Sequence, residues 1–270
     1  TTAAGKQIGP DVYRSYSYVD LYNTDQGMSA THWFGTDNLG RDMFARLMQG
    51  LLISMSLALV VELIDIGLGV TIGVLAGFYG GWIDQLLARF TDLMFAFPGL
   101  LFVILLTGIF GNAVSDSLNK FPLIGGGNAR LALVAIALSI GIWPLMARYV
   151  RGQTLQLKEQ QFIEAARTSG TGDLRIIMRH IIPNLFSIVF IAATLNVANT
   201  IIGEAGISLL GLGVQPPGSS LGLMISDGLE FTTSHPWEVL FPTIVLTIIV
   251  LAISFFGDGL RDAFDPRSKD

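Results

Sequence analysis

Five apolar runs decide what this chain can fold into. They cover roughly residues 47–77, 93–110, 131–147, 185–214 and 240–256, with polar residues between them. A bilayer core of about 30 Å takes about 20 helical residues to cross, so the runs predict five membrane-spanning helices. The first and fourth are longer than one crossing and carry glycine and charge. Each is therefore a tilted helix, a broken one, or one that extends into solvent. Composition agrees: 51% of the 270 residues are apolar and only 14% charged, against roughly a quarter charged in a soluble domain. Residues 1–45 are polar and hold no run long enough to cross.

Charge and residue types then exclude whole classes. A net charge of −5 with no basic stripe gives nothing to neutralise phosphates, so nucleic acid is not an expected partner. The absence of cysteine rules out disulfides, thiolate metal sites and cysteine nucleophiles. There is no G-x-x-x-x-G-K-[ST] loop for ATP. His32, His180 and His235 are scattered along the chain, so no metal site is expected.

Orientation follows Lys and Arg alone. Arg148, Arg151, Lys158, Arg167, Arg175 and Arg179 lie between the third and fourth runs, and Arg261, Arg267 and Lys269 follow the last. The stretch 215–237 has neither residue type. The segment 151–183 and the C-terminus are therefore expected in the cytoplasm, with 215–237, 1–45 and the loop near 110–130 outside. The chain opens Thr1-Thr2-Ala3-Ala4 with no signal pattern. One further helix upstream is the expectation that reconciles five spans with this topology.

The charged island between the third and fourth runs has internal organisation. Residues 156–167 are good helix formers. Gly170 and Gly172 then mark a turn, Gly being the residue that tolerates positive φ. Thr171 or Asp173 is placed to cap a second helix over 174–182, ended by Pro183. Ala165 and Ala166 are small enough for another backbone to pack on them, and Glu164 can pair with an arginine. On residue types alone this is either a stiffened loop or a docking element.

Inside the runs, Glu62 and Asp65 stand three apart on one helix face. They line a path or attract an amine, or else they are solvated or paired with arginine. Arg89 and Asp92 are expected to pair with each other. Gly69, Gly73, Gly77 and Gly81 form a small-residue ridge suited to close helix packing. Pro98 and Pro144 are expected to kink their spans. The tyrosines Tyr13, Tyr16, Tyr18 and Tyr22 suit the headgroup level.

The run Glu164-Ala165-Ala166-Arg167-Thr168-Ser169-Gly170, closed by Pro183, resembles the EAA loop of bacterial ABC importers. His180 and Ile182 stand where the general pattern has Ile and Leu, which narrows the resemblance to the peptide branch. Phe34-Gly35-Thr36-Asp37-Asn38-Leu39-Gly40-Arg41-Asp42, Phe78-Tyr79-Gly80-Gly81-Trp82 and Ala96-Phe97-Pro98 resemble signatures of the C-type permease subunits of dipeptide, oligopeptide and nickel importers. So do Leu209–Pro217, and Gly257–Asp262 with Asp265-Pro266-Arg267.

The resemblance implies an all-α membrane protein with the fold of a type I ABC importer transmembrane domain over 46–270, six spans in the full protein. It implies transport of peptides, or of nickel, by alternating access, with the 151–183 loop as the ATPase-docking element. It further implies a second, B-type permease, two ATPase subunits that bind the ATP and magnesium, an extracytoplasmic binding protein, and no cofactor in this chain. Glu204 is a position where the family often carries Glu, and holding a bend or gate is its expected use. Glu62 and Asp65 depart from a mostly apolar family pattern. An ATP-independent channel or secondary transporter is one rival from another class; an intramembrane hydrolase is a second, which the spread of Glu62, Asp92 and Glu204 does not suggest.

Overall fold

The apolar runs fold as helices, and the segments between them carry more order than their polarity suggests. The computed structural model describes residues 16–118 and 129–264. Tyr13, the Asp265-Pro266-Arg267 motif and Lys269 lie outside the described residues. The long helices are α1 (Met43–Tyr79), α2 (Gly81–Ala96), α3 (Gly99–Leu118), α4 (Ala129–Leu157), α7 (Ile182–Leu209) and α9 (Trp237–Phe264). Between them stand the shorter α5 (Gln161–Thr168), α6 (Asp173–Ile176) and α8 (Leu221–Gly228). Among the described residues four helices are long and apolar enough to cross a membrane, and a fifth crossing results if the bent α2–α3 pair counts as one. Leu240, Ile244, Ile248, Leu251 and Phe255 form an exposed apolar stripe along α9, a surface suited to lipid rather than water.

The first run is one unbroken helix of 37 residues. The second is divided: α2 and α3 meet at 73°, because Phe97 is extended at φ −76, ψ 128. A residue before proline is pushed out of the helical region. Pro98 thus separates two helices instead of kinking one, whereas Pro144 lies within α4.

The described residues divide into two compact units: those within 1–57, 104–134 and 201–250 form one, and those within 58–103, 135–200 and 251–270 the other. In the first, Met43 and Leu47 at the start of α1 pack on Leu221 and Met224 of α8. The stretch 215–237, expected as an outer loop, therefore contains a buried helix, capped by Ser220 Oγ accepting from the Leu223 N–H at 3.1 Å. The Phe34–Asp42 motif builds the entry to α1. Asp42 accepts from the Ala45 N–H at 2.8 Å. Gly40, at φ +68, lies where a Cβ would overlap the Asp20 carbonyl. Asp37 receives Nε of Arg41 at 2.7 Å and Nη1 of Arg46 at 2.6 Å, while Nη2 of Arg46 reaches Asp227 of α8 at 2.8 Å. Glu204 is buried in the same unit and accepts from Ser54 at 2.8 Å and Ser208 at 2.6 Å.

In the second unit the glycine ridge meets α4. A Cβ on Gly69 would lie 2.5 Å from Met146, one on Gly73 2.6 Å from the Ala147 carbonyl, and one on Gly77 2.7 Å from Thr154. Gly81 does not continue this ridge. It follows the end of α1 at φ +57 with open space around its Cβ position, and with Gly80 it makes the turn into α2. Replacement of Gly73 by Ala is expected to destabilise the protein by about 1–3 kcal/mol through overpacking. Gly67→Ala on the same helix, where the Cβ meets nothing within 4 Å, is expected to be neutral or slightly stabilising. Thermal melts of the two variants in detergent test this; identical melting would refute the close approach.

Arg89 and Asp92 do not form the expected pair. Asp92 accepts from Nη2 of Arg148 at 2.6 Å, and Asp84 takes Nε and Nη2 of Arg151 at 2.5 and 2.7 Å. Both bonds join α2 to α4, and across a helix pair the arginines of α4 reach these carboxylates better than a neighbour on the same helix does.

Candidate functional site

Local sequence dictates an elbow between α4 and α7. Gln160, extended at φ −78, ψ 144, ends the helical path of α4 and starts α5, so the helix expected over 156–167 is divided in two. Phe162 and Ile163 are adjacent and both apolar; on a helix they point about 100° apart, so only one can turn inward. Ile163 does, fully buried against Val74, Phe78, Val150, Ile176 and Ile177, and the half-buried Ala166 packs on the same cluster. The Arg167 guanidinium lies 5.3 Å from the centre of the Phe78 ring, a cation–π contact.

The end of α5 is a complete helix stop. Gly170 sits at φ +77, its N–H donates to the Arg167 carbonyl at 2.9 Å, and the Thr171 N–H donates to that of Ala166 at 3.1 Å. These are the two bonds of a Schellman motif with glycine in the left-handed position. Thr168 and Ser169 donate their hydroxyls to the Ala165 carbonyl at 3.0 and 2.8 Å. Neither Thr171 nor Asp173 caps the next helix. Gly172 holds that position without a side-chain bond, its carbonyl accepting from the N–H groups of Arg175 and Ile176.

Pro183 does not end the second helix. The path continues from Asp173 through a wide π turn at Ile177–Ile181 into α7, giving one helical stretch of 37 residues. Proline lacks an N–H and crowds the carbonyl four residues earlier, here that of Arg179. A π turn immediately before it adds the room that a regular helix lacks.

The elbow is thus fixed beneath and open above. Ile163, Ile176, Ile177 and Ile181 hold it down, while Glu164, Ala165, Arg167, Thr168, Ser169, Gly170, Asp173 and Arg175 are exposed. Three apolar side chains missed by sequence reasoning share that exposure, with Phe162 at 42%, Leu174 at 72% and Met178 at 59%. Their signal was present as apolar residues beside the inward-facing Ile163, Ile176 and Ile177.

The carboxylates of the first span are elsewhere in the second unit. Glu62 and Asp65 are buried, and among the described residues neither forms an ion pair with an arginine: Asp65 accepts from the Asn196 amide at 3.2 Å, and neither Glu62 oxygen accepts from a donor. Asn196 also lines a cleft of about 730 Å³ with Tyr149, Ser187, Asn199 and Arg261.

These features define a class: a helical membrane protein with a glycine-jointed elbow presented at its surface. A family model described as "Binding-protein-dependent transport system inner membrane component" matches residues 69–270, and the chain belongs to that family. Over 94% of its length it is 38% identical to the dipeptide transport system permease protein DppC of Alkalihalophilus pseudofirmus, of which the match covers 78%. It is 39% identical over 94% to the oligopeptide permease protein OppC of Mycobacterium bovis, covering 83% of that protein. With the glutathione permease protein GsiD of Pectobacterium atrosepticum it shares 37% over 95%, covering 80%. A chain of the MetNI methionine ABC transporter in an inward-facing conformation superposes with a TM-score of 0.62 at 17% identity, covering 83% of this chain and 98% of that one. The fold is therefore that of a type I ABC importer transmembrane subunit, and the protein is a membrane permease component that works with other subunits.

Proposed function

We propose that this chain forms half of the pathway of an ATP-driven importer and carries peptides handed over by an extracytoplasmic binding protein. The observation that carries the reading is the elbow, where Phe162, Leu174 and Met178 are exposed along with Glu164, Ala165 and Gly170, over a base that buries Ile163 and Ile176. A partner that moves needs a surface to grip and a lever that does not bend; the exposed side chains and the buried base of this element support reading it as both. Two ATPase subunits, which bind the ATP and magnesium, dock at 151–183, one on this chain and one on a second, B-type permease. The elbow and the C-terminus face the cytoplasm, a reading that the arginines around them support, and 1–45 and 215–237 face the binding protein.

Glu62 and Asp65, unpaired by any arginine and connected through Asn196 to the cleft, belong to the translocation path. Glu204, with both oxygens occupied by serines, holds helices together. The relatives named above transport dipeptides, oligopeptides and glutathione, which supports peptide cargo here. Uptake of labelled di- and oligopeptides and of nickel, in cells with and without this subunit, tests the assignment. Loss of peptide uptake alone is expected; loss of nickel uptake alone would replace the cargo and leave the architecture.

A further inference from the structure

Asp25, His235 and Glu238 are far apart in sequence yet bring one ligand atom each to within 4.8 Å of one another. His235 and Glu238 share the turn that opens α9, where the Glu238 N–H donates to the His235 carbonyl at 3.2 Å. Asp25 arrives on the segment preceding α1, where its own N–H donates to the Asp37 carbonyl at 3.0 Å. Glu238 is only 2% exposed. Its Oε1 is buried with no hydrogen-bond partner, and so are Oδ1 of Asp25 and Nδ1 of His235. Nδ1 of His235 and Oδ1 of Asp25 stand 4.0 Å apart, too far for a hydrogen bond.

A buried polar atom without a partner is costly and demands an explanation. Three of the nine such side-chain atoms among the described residues meet at this one place. All three are donors of the kind that ligate metals, one imidazole and two carboxyl groups. The cations that could otherwise satisfy the carboxylates are engaged elsewhere, since Arg41 and Arg46 are bound by Asp37 and Asp227.

We propose that Asp25, His235 and Glu238 form a divalent-cation site that ties the segment before α1 to the first turn of α9. One imidazole nitrogen and two carboxylate oxygens suit a borderline transition-metal ion such as Zn²⁺ or Mn²⁺ better than Mg²⁺, which prefers all-oxygen, largely hydrated shells. Bonds of about 2.0–2.2 Å require the donors to draw inward. His235 and Asp25, whose side chains are 28% and 25% exposed, have the freedom to do so around the fixed Glu238. The Trp237 ring stands edge-on to His235 at 5.2 Å and limits how the imidazole turns. This site shares no residue with the elbow, and its test is independent of the cargo.

The test is calorimetric titration of the full chain, purified in detergent on a tag without histidine and stripped with chelator, with ZnCl₂ and with MnCl₂. One equivalent of at least one ion is expected to bind saturably. His235→Asn and Glu238→Gln are each expected to weaken that binding by about tenfold or more. Because His235 is partly exposed, His235→Asn decides the matter should Glu238→Gln fail to fold, with wild-type elution on size exclusion as the folding control. No saturable binding of either ion, or undiminished affinity in folded His235→Asn, would overturn the site.

Discussion

Replacement of Asp37 by Ala is expected to destabilise the protein by about 3–5 kcal/mol, the cost of removing one partner from a buried ion network. The Asp37 side chain is 1% exposed, and those of Arg41 and Arg46 are 6% and 2% exposed. One carboxylate oxygen serves both guanidinium groups, and the other takes the backbone N–H groups of Leu39 and Arg41 at 3.0 and 2.8 Å. Without them two buried positive charges keep only Asp227, which is 2.8 Å from Arg46 but 3.5 Å from Arg41. The large term is the uncompensated charge rather than the lost bonds, and this fixes the order of variants. Asp37→Asn, which retains an acceptor for the backbone but not the charge, is expected to fall between Ala and wild type. Asp227→Ala is expected to cost less than Asp37→Ala, because water reaches its 29% exposed side chain and Asp37 remains. Thermal unfolding in detergent and yield in the membrane measure the series. Wild-type melting by Asp37→Ala would mean that water or another anion already compensates Arg46.

The network also shows what the sequence could and could not convey. The motif around Asp37 was legible because its residues are contiguous and its turn needs Gly40. Its partner Asp227 was not, being 181 positions from Arg46 in a stretch that reads as a loop. Hydrophobic length is a local property, so α1, α4, α7 and α9 could be read directly. The start of α2 could not: Asp84, Gln85, Arg89 and Asp92 interrupt its apolar residues, and only the fold brings Arg151 and Arg148 of α4 to Asp84 and Asp92. Expectations based on near neighbours failed where a distant helix offered better geometry, as when Asp92 paired with Arg148 instead of Arg89. The histidines are scattered in sequence, whereas folding brings His235 to two carboxylates, one of them on a segment about 210 residues away. At the elbow, Gly170 was readable as a stop because left-handed backbone is chemically written into glycine. The passage through Pro183 was not, since a π turn leaves no mark in composition.

Gly170→Val is expected to reduce peptide uptake about 5–30-fold while ATP hydrolysis and membrane insertion persist. The argument is conformational. Gly170 holds φ +77 in the Schellman stop of α5, and a Cβ there would meet nothing within 4 Å, so no collision within this chain explains a loss. A β-branched residue in left-handed backbone costs roughly 1–2 kcal/mol, which shifts the population of the elbow's geometry by about 5–30-fold. Residues beneath the elbow, among them Ile163 and Ile176, are fully buried, so the strain is relieved at the joint rather than in the base. Asparagine tolerates left-handed backbone, and Gly170→Asn is accordingly expected to keep most of the uptake. Gly170→Trp adds a second cost, bulk on the exposed face proposed to meet the ATPase, and is expected to be the most severe of the three. Uptake measured beside ATPase activity separates the contributions. Loss with Trp but not with Val would place the effect at the docking surface, and undiminished transport in both would mean that force does not pass through this joint.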